Sequence, residues 1–386
     1  MRPVLTCRIA AAISVGAAVA WTSGCASSSP ATRAAHSRAA TARTGQSSQG
    51  TSSPGRARRG QVQPGRLQPG RLLPDRVYAP YFEGWTNDRL PVVAAQSGAR
   101  YFTLAFLKAA RPGSCVLTWN GSRRQTIAQG RFVSQIATLR SMGGDVIPSF
   151  GGYSADNRGT EIADSCTSVR QIASGYESVV TRYRVSRLDM DVEGRSLSNK
   201  AGIARRNQAL RLLQQWAART HHRVQIVFTL GVEPGGLPDN GLAVLRSAVA
   251  HGVRFTAVNI MAFDYYNGRA RRPSQMGTEA LSALRATHRQ LASIYPQLSD
   301  GRLWQMEGIT LLPGIDDVPG KTEITYPGSA TAVLDFARTA GFPLISIWAI
   351  QRDNGRCPGT AGSQSCAGIR QSTWVFSHLL ESYTSR

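Results

Sequence analysis

Short apolar runs alternate with longer amphipathic segments over most of the chain. From Asp75 onward, eight runs are rich in β-branched or aromatic residues, and each of them predicts a buried strand. Apolar residues three or four positions apart lie between most of these runs and predict helices, as at Ile172, Tyr176 and Val179. The strand-like runs are Val77–Phe82, Tyr101–Leu107, Asp145–Phe150, Arg187–Glu193, Val224–Leu230, Thr256–Phe263, Leu303–Thr310 and Leu344–Ile350.

This alternation predicts the fold class. Strands that alternate with helices are parallel and are joined by right-handed crossovers. Eight such units within residues 75–386 predict an α/β protein, a single-domain (β/α)8 TIM barrel. The alternative is a doubly wound open sheet, which usually carries a glycine-rich phosphate turn after its first strand. The first run ends in Tyr81-Phe82-Glu83-Gly84-Trp85 and lacks that turn, so we favour the barrel, with its chemistry at the carboxyl ends of the strands.

Residues 1–25 have the pattern of an export signal. Arg2 and Arg8 form a positively charged end before the apolar stretch Ile9–Trp21. This stretch is shorter than the roughly 20 residues of a membrane-spanning helix. The following Thr22-Ser23-Gly24-Cys25 is similar to a bacterial lipobox, although Thr22 stands where leucine is usual. Two interpretations stay open. The protein is either a lipoprotein anchored through Cys25 to the extracellular face of the cell membrane, or it is secreted after cleavage near this site.

The next segment, residues 26–74, reads as a linker. It is rich in Ala, Ser, Thr, Gly, Gln, Pro and Arg, a composition that predicts disorder. The formal net charge of the chain is +22, and the first 74 residues contain ten arginines and no acidic residue. Much of the positive charge therefore belongs to the signal and the linker. Because export removes nucleic acid as a partner and residues 75–386 lack a basic and aromatic recognition motif, we expect no nucleic-acid binding. We also expect a monomer.

The cysteines indicate disulfides rather than a metal site. Apart from the signal and Cys25, four cysteines remain, and an even number in an exported protein favours two disulfides. Four cysteines allow three pairings. We favour Cys357–Cys366, which closes a short loop, together with Cys115–Cys166. The chain has no Cys-x-x-Cys or His-x-x-x-His spacing, so we expect no structural metal and no cofactor.

The fourth run carries three carboxylates on one face. Side chains alternate along a strand, so Asp189, Asp191 and Glu193 point one way and the apolar residues between them point the other way. The alternative is a polar strand face in water, which fits an antiparallel edge better than a parallel strand covered on both faces. Three stacked carboxyl groups cannot all ionise cheaply, so at least one keeps a proton near neutral pH. Glu193, nearest the carboxyl end, is placed to protonate a leaving group.

This stretch resembles the fourth-strand signature of glycoside hydrolase family 18, Asp-x-x-Asp-x-Asp-x-Glu. In residues 186–193 the last three acids match, Ser186 replaces the first Asp, and Arg187 replaces the usual Gly. Ser149-Phe150-Gly151-Gly152 resembles the Ser-x-Gly-Gly of the third strand. Trp348 falls where the family has an eighth-strand tryptophan under the bound sugar.

A fourth motif extends the resemblance. Residues 259–265 are similar to the sixth-strand Gln-x-Met-x-Tyr-Asp, with Asn259 and Phe263 in place of Gln and Tyr. The resemblance runs from about Val77 to Ile350 and is closest to a group of secreted bacterial chitinases. It implies that residues 75–386 form a catalytic domain with the (β/α)8 fold, and that the partners are chitin or N-acetylglucosamine oligosaccharides.

The resemblance also implies a mechanism, the retaining, substrate-assisted hydrolysis of β-1,4-linked N-acetylglucosamine polymers or oligomers. Glu193 would act as general acid and base, Asp191 would orient the substrate acetamido group, and Asp189 would support Asp191. The acetamido oxygen of the substrate replaces an enzyme nucleophile in this family. Two alternatives remain: a non-hydrolytic protein that binds chitin oligosaccharides, and an endo-β-N-acetylglucosaminidase that acts on glycoprotein glycans.

Several further residues are candidates for substrate contact. Phe263 lacks the hydroxyl of the family tyrosine, and Tyr265, two residues on, is a candidate substitute. Glu83, Trp85 and Trp119 are loop candidates for further sugar contacts, whereas His221-His222 is expected to be a solvated helix end. The predicted substrate-binding residues are Trp348, Asp264, Met261, Tyr265, Tyr81 and Ser149.

Overall fold

The computed structural model describes residue 70 and residues 72–265, 275–316, 323–360 and 364–384. The predicted export signal, Cys25 and the linker up to residue 69 lie outside these ranges, so they stay predictions. Among the described residues, no helix combines the length and the apolar character needed to cross a membrane.

All eight predicted strands are present, in an all-parallel arrangement around the barrel. The order of neighbours is β1, β12, β9, β8, β7, β6, β5, β3 and β2. β4 pairs with β3 in antiparallel fashion, and β10 and β11 form a separate two-stranded sheet. The strands are β1 Val77–Tyr78, β2 Tyr81–Glu83, β3 Tyr101–Ala109, β4 Leu117–Trp119, β5 Asp145–Gly151, β6 Arg187–Val192, β7 Gln225–Gly231, β8 Ala257–Met261, β9 Glu307–Leu311, β10 Gly314–Ile315, β11 Ile324–Thr325 and β12 Leu344–Ile347.

The barrel closes through a first strand that is divided into two pieces. β1 pairs with the last strand, β12, and β2 pairs with β3. Between the two pieces, the N–H of Ala79 donates to the carbonyl of Ile345 at 2.9 Å, and the carbonyl of Pro80 accepts from the N–H of Thr103 at 2.9 Å. Residues 77–83 therefore bond to both neighbours and complete the ring, which confirms the predicted (β/α)8 barrel.

Helices follow the strands and cover the outside of the sheet. In α5, Ser168 caps the first turn by accepting from the N–H of Gln171, and the apolar positions Ile172, Tyr176 and Val179 are buried, as their spacing predicts. The helices are α1 Leu90–Ser97, α2 Val133–Ser141, α3 Tyr153–Asn157, α4 Ile162–Ser165, α5 Val169–Tyr183, α6 Lys200–Arg219, α7 Asp239–Ala250, α8 Gln275–Ile294, α9 Asp300–Trp304, α10 Pro327–Ala340 and α11 Val375–Leu380.

The predicted start of the seventh strand is wrong. The apolar run that begins at Leu303 was expected to start the seventh strand, but Leu303 is a buried residue of α9 and the strand begins at Glu307. A short apolar run does not by itself distinguish the end of a buried helix from the start of a buried strand.

Both favoured disulfides are present. Cys115–Cys166 joins the segment after β3 to the end of α4, and Cys357–Cys366 closes a loop after β12. Each bond fastens a segment that follows a strand at its carboxyl end, which is the end of the barrel where the site is expected.

Candidate functional site

The three carboxylates of the fourth strand, here called the carboxylate row (Asp189, Asp191 and Glu193), lie on one face as predicted. Asp189 and Asp191 belong to β6, and Glu193 follows it with an extended backbone (φ −134°, ψ 175°), so the alternation continues past the end of the strand. The residues between them, Met190 and Val192, are buried in the hydrophobic core. The row therefore runs from the barrel interior up to its carboxyl end.

Asp189 is held by three hydroxyl groups from three other strands, β5, β7 and β2. Ser149 Oγ donates to Asp189 Oδ2 at 2.6 Å, and Thr229 Oγ1 donates to Asp189 Oδ1 at 2.6 Å. The hydroxyl of Tyr81 lies 2.9 Å from Asp189 Oδ2. Burial raises the pKa of Asp189, and these three hydrogen bonds oppose that rise because they stabilise the ionised carboxylate.

Asp191 has the opposite environment. It is 3% exposed, and its Oδ1 has no hydrogen-bond partner among the described residues. Burial raises the pKa of Asp191 well above its usual value, and the charges of Glu193, Asp189 and Asp156 raise it further. A proton shared between the two aspartates therefore favours Asp191.

Glu193 lies at the entrance to the row, partly exposed. Burial raises its pKa to about 7, and a hydrogen bond with the backbone of Tyr153 acts in the opposite direction. Its own peptide N–H donates to Asp156 Oδ2 at 2.5 Å. A carboxyl group that keeps its proton up to about neutral pH is suited to general acid catalysis.

The row opens into a cleft of about 530 Å³ at the carboxyl end of the barrel. Both polar and aromatic side chains line it. The lining residues are Tyr81, Trp85, Phe106, Lys108, Asn120, Gly151, Tyr153, Ser154, Asp191, Glu193, Met261, Phe263, Asp264, Thr310, Leu312, Trp348 and Gln364.

Aromatic rings form one wall of this cleft. The rings of Trp348 and Phe106 are stacked, with centroids 5.4 Å apart and planes at 19°. Tyr81 meets Trp348 edge-on at 5.4 Å, and Trp85, which is 46% exposed, stacks on Phe106 at 6.2 Å. Flat apolar rings beside carboxylates match a sugar ring, which has apolar C–H faces and polar edges.

Two consecutive glycines at the end of β5 let it approach β6 closely. Gly151 and Gly152 have positive φ angles of 99° and 82°. A Cβ on Gly151 would lie 2.1 Å from the carbonyl oxygen of Asp191, and a Cβ on Gly152 would lie 2.5 Å from the ring of Phe106. A larger residue at either position would push the turn away from the carboxylate row or from the aromatic wall.

Comparison with known proteins identifies the family. The model of glycosyl hydrolases family 18 matches residues 77–297. The chain belongs to glycosyl hydrolases family 18. The match begins at the first barrel strand and includes β2 to β8, and therefore the whole carboxylate row.

Individual family 18 relatives support this assignment. A probable bifunctional chitinase/lysozyme of Escherichia coli is 34% identical over 286 residues, which are 72% of this chain and 31% of that protein. Endochitinase 11 of Metarhizium anisopliae is 33% identical over 285 residues, which are 72% of this chain and 52% of that protein. The matched region thus spans about half or less of the length of these two relatives. The solved active domain 2 of a chitinase from Pyrococcus furiosus is 27% identical, with a TM-score of 0.70 over 81% of this chain and 96% of that domain.

The structure brings most of the predicted family 18 site residues together. Asp191, Glu193, Tyr81, Met261, Asp264 and Trp348 all line the cleft. Asp264 has a left-handed backbone (φ 53°), and this bend takes its side chain to the cleft although its position in the strand pattern is opposite to that of Met261. Asp189 lies one layer deeper.

Two predicted substrate-binding residues lie outside the cleft lining. Ser149 is fully buried, and its hydroxyl donates to Asp189, so it supports the carboxylate row from below. Tyr265 is 1% exposed, and its N–H donates to Glu323 Oε2 at 3.1 Å. The left-handed bend at Asp264 directs Tyr265 into the core rather than into the cleft.

The loop candidates give mixed results. Trp85 lines the cleft, whereas Trp119 is fully buried in β4, where its Nε1–H donates to the hydroxyl of Tyr183 at 2.8 Å. The prediction of a sugar contact at Trp119 is wrong because the antiparallel pairing of β4 with β3 turns this ring inward. Glu83 is also buried, and it borders a separate smaller cavity. His221 and His222 are exposed after α6, as expected.

Some residues that line the cleft were not predicted from the sequence. Phe106 and Lys108 lie near the end of β3 on one strand face, and inspection of every strand end in the alternation would have found them. Asn120, Tyr153 and Gln364 lie in loops or short helices, whose placement no local pattern predicts. Among the described residues, no cluster of three or more histidine, cysteine or acidic side chains is arranged to hold a metal ion.

Proposed function

We propose that this family 18 protein is a chitinase, which hydrolyses β-1,4-linked N-acetylglucosamine chains with retention of configuration. The observation that carries the proposal is the carboxylate row, in which burial raises the pKa of Glu193 to about 7 and Oδ1 of Asp191 has no hydrogen-bond partner among the described residues. The relatives in E. coli, M. anisopliae and P. furiosus are named as chitinases, which supports the same substrate class.

In the first step, the substrate supplies its own nucleophile. Glu193 gives its proton to the glycosidic oxygen, the bond from that oxygen to C1 breaks, and the shortened chain leaves with a new hydroxyl group. The 2-acetamido oxygen attacks C1 from the opposite face and forms an oxazolinium ion. This route needs no carboxylate nucleophile beside the acid.

Asp191 and Asp189 stabilise that ion. Asp191 Oδ1 is a buried acceptor, so an acetamido N–H offers it the partner that it lacks among the described residues. As positive charge develops on the acetamido group, the proton of Asp191 moves toward Asp189. The three hydroxyl donors around Asp189 adjust to either state because hydroxyl groups both donate and accept.

In the second step, the ionised Glu193 acts as a base. It takes a proton from a water molecule, and the oxygen of that water attacks C1 and opens the oxazolinium ring. Two attacks at C1 give net retention, and Glu193 regains the proton that it lost. The sugar stacks on the face of Trp348, whose ring also stacks with that of Phe106, and Tyr81, Met261 and Asp264 surround it.

Digestion of chitin oligosaccharides tests this function. The wild-type protein is expected to shorten them, and Glu193→Gln is expected to lower kcat by at least about 10²- to 10⁴-fold because the proton donor is lost. Glu307→Gln is the matched control: Glu307 is buried, burial raises its pKa to about 9, and it begins β9 at the opposite end of the barrel. Turnover by Glu193→Gln at the wild-type rate would refute the assignment.

Other outcomes would favour the alternative functions. Binding of the oligosaccharides without any cleavage by the wild-type protein would indicate a chitin-binding protein. Cleavage of glycoprotein glycans but not of chitin oligosaccharides would indicate an endo-β-N-acetylglucosaminidase.

We further propose that the protein acts outside the cytoplasm, either secreted or held at the membrane through Cys25. The export pattern of residues 1–25 supports this proposal, as does the pair of disulfides. If Cys25 is lipidated, Cys25→Ala is expected to move the protein from the membrane fraction to the medium. An unchanged distribution between the two fractions would exclude the lipid anchor.

A further inference from the structure

One buried carboxylate beside the row has no role in the steps described above. Asp156 lies on α3, outside all four motifs, and is 1% exposed. Its Oδ2 accepts the peptide N–H of Glu193 at 2.5 Å, and its Oδ1 has no hydrogen-bond partner among the described residues. The carboxylate thus contacts the backbone of the residue that we propose as the acid.

The N–H of Glu193 needs this acceptor because it lies beyond the paired part of the sheet. On one side, β5 pairs with β6 only as far as Gly151 and Asp191, and on the other side β7 pairs as far as Val192. The chain after β5 turns into α3, with Gly152 N–H donating to the carbonyl of Asp191 at 3.2 Å. Asp156 therefore replaces the strand neighbour that Glu193 would otherwise have.

Other contacts join the segment of α3 and α4 to the chain that follows β6. Asp164 on α4 accepts from Ser196 Oγ and from Asn199 Nδ2, the second at 2.9 Å. Glu161, at the start of α4, forms a buried ion pair with Arg206 of α6 at 3.0 Å. The segment of α3 and α4 is thus anchored at several independent points, of which the contact between Asp156 and the N–H of Glu193 is only one.

Burial and the charged groups around Asp156 shift its pKa. Burial raises the pKa of Asp156 well above its usual value, and Glu161 and Glu193 raise it further, whereas the N–H of Glu193 and the guanidinium of Arg206 act in the opposite direction. Asp156 also raises the pKa of Asp191. It is therefore electrostatically linked to the carboxylate row as well as bonded to it.

We propose that Asp156 is a positioning residue, which fixes the peptide unit of Glu193 and thereby the place from which its carboxyl group delivers the proton. The proposal rests on the proposed function, in which Glu193 is the general acid. An acid displaced by about 1 Å binds substrate as before but transfers its proton far more slowly. The effect of losing Asp156 is therefore expected in kcat rather than in KM.

Three variants separate positioning from simple support of the fold. Asp156→Ala removes the acceptor, whereas Asp156→Asn keeps an acceptor oxygen. Asp164→Ala removes the neighbouring hydrogen bonds from Ser196 and Asn199, which do not involve the N–H of Glu193. With chitin oligosaccharides, we expect Asp156→Ala to lower kcat by roughly 10- to 100-fold with KM changed by less than about threefold. Asp156→Asn is expected to recover most of the loss, and Asp164→Ala to lower Tm with kcat within about twofold of wild type.

The results are read against the wild-type digest, which tests the proposed function separately. Given wild-type hydrolysis, a normal kcat in Asp156→Ala would overturn the positioning role, as would an equal loss of kcat in Asp164→Ala or no recovery in Asp156→Asn. If the alanine variant does not fold, Asp156→Ser takes its place because a serine hydroxyl is too short to reach the Glu193 N–H. A folded Asp156→Ser with wild-type kcat would equally refute the proposal.

Discussion

Two aspartates two positions apart on one strand show how neighbours determine the state of a residue. Asp189 receives hydrogen bonds from Ser149 and Thr229 and lies beside the hydroxyl of Tyr81, whereas Asp191 Oδ1 has no partner among the described residues. The hydrogen bonds therefore stabilise the ionised form of Asp189, whereas the surroundings of Asp191 favour its protonated form. The strand pattern alone places both on one face but assigns neither state.

The raised pKa of Glu193 predicts the pH dependence of catalysis. Glu193 must be protonated to act as an acid, and burial raises its pKa to about 7, so kcat is expected to fall as pH rises through about 7. The fall should follow a single ionisation, about tenfold per pH unit. Initial rates at saturating oligosaccharide between pH 4 and pH 9 measure it.

A profile that stays flat to pH 9, or that falls with an apparent pKa near 4.5, would contradict this assignment. The control is the thermal transition of the protein over the same pH range, since loss of fold would also lower the rate.

At the scale of elements, strands were predicted well and the segments after them were not. Alternation along a strand and the three-to-four spacing of a helix are local properties, so eight strands and the carboxylate row could be read directly. The inward turn of Trp119 depends on the pairing of β4 with β3, and the place of Asp156 depends on the docking of α3 against the end of β6. Such contacts join residues far apart in sequence, and no local pattern encodes them.

The close approach of β5 to β6 predicts a large effect of a small substitution. Gly151→Ala combines a positive φ with a Cβ 2.1 Å from the carbonyl oxygen of Asp191. We expect it to lower the free energy of unfolding by roughly 2–4 kcal/mol. Urea denaturation followed by circular dichroism measures this change.

Gly143→Ala is the matched control for that experiment. Gly143 also has a positive φ, of 87°, but a Cβ there would meet nothing within 4 Å. We expect a cost of only about 1 kcal/mol, from backbone strain alone. Equal costs at the two glycines would show that the contact with Asp191 does not limit the approach of the strands.

At the scale of the whole molecule, the two disulfides close loops of very different length. Cys115 and Cys166 are 51 positions apart, whereas Cys357 and Cys366 are nine apart. Chain entropy predicts stabilisation of about 4 kcal/mol for the longer loop and about 2.6 kcal/mol for the shorter one. Replacing both members of a pair with alanine should therefore cost about 1.5 kcal/mol more for the Cys115–Cys166 pair.

Equilibrium unfolding of the two double variants in urea tests this order, with the slope of the transition checked for each. A larger loss for the Cys357–Cys366 pair would show that loop length does not govern the contribution of these bonds.

The divided first strand also determines when the barrel can be completed. Residues 77–78 bond to residues 344–345, which come more than 260 positions later in the chain. Until that last strand has been synthesised, the sheet has two open edges, with the partner sides of β1 and β9 unpaired. Ring closure is therefore the most non-local step in the assembly of this protein, and a nascent chain that has yet to reach Leu344 presents strand edges on which other unfinished chains can pair.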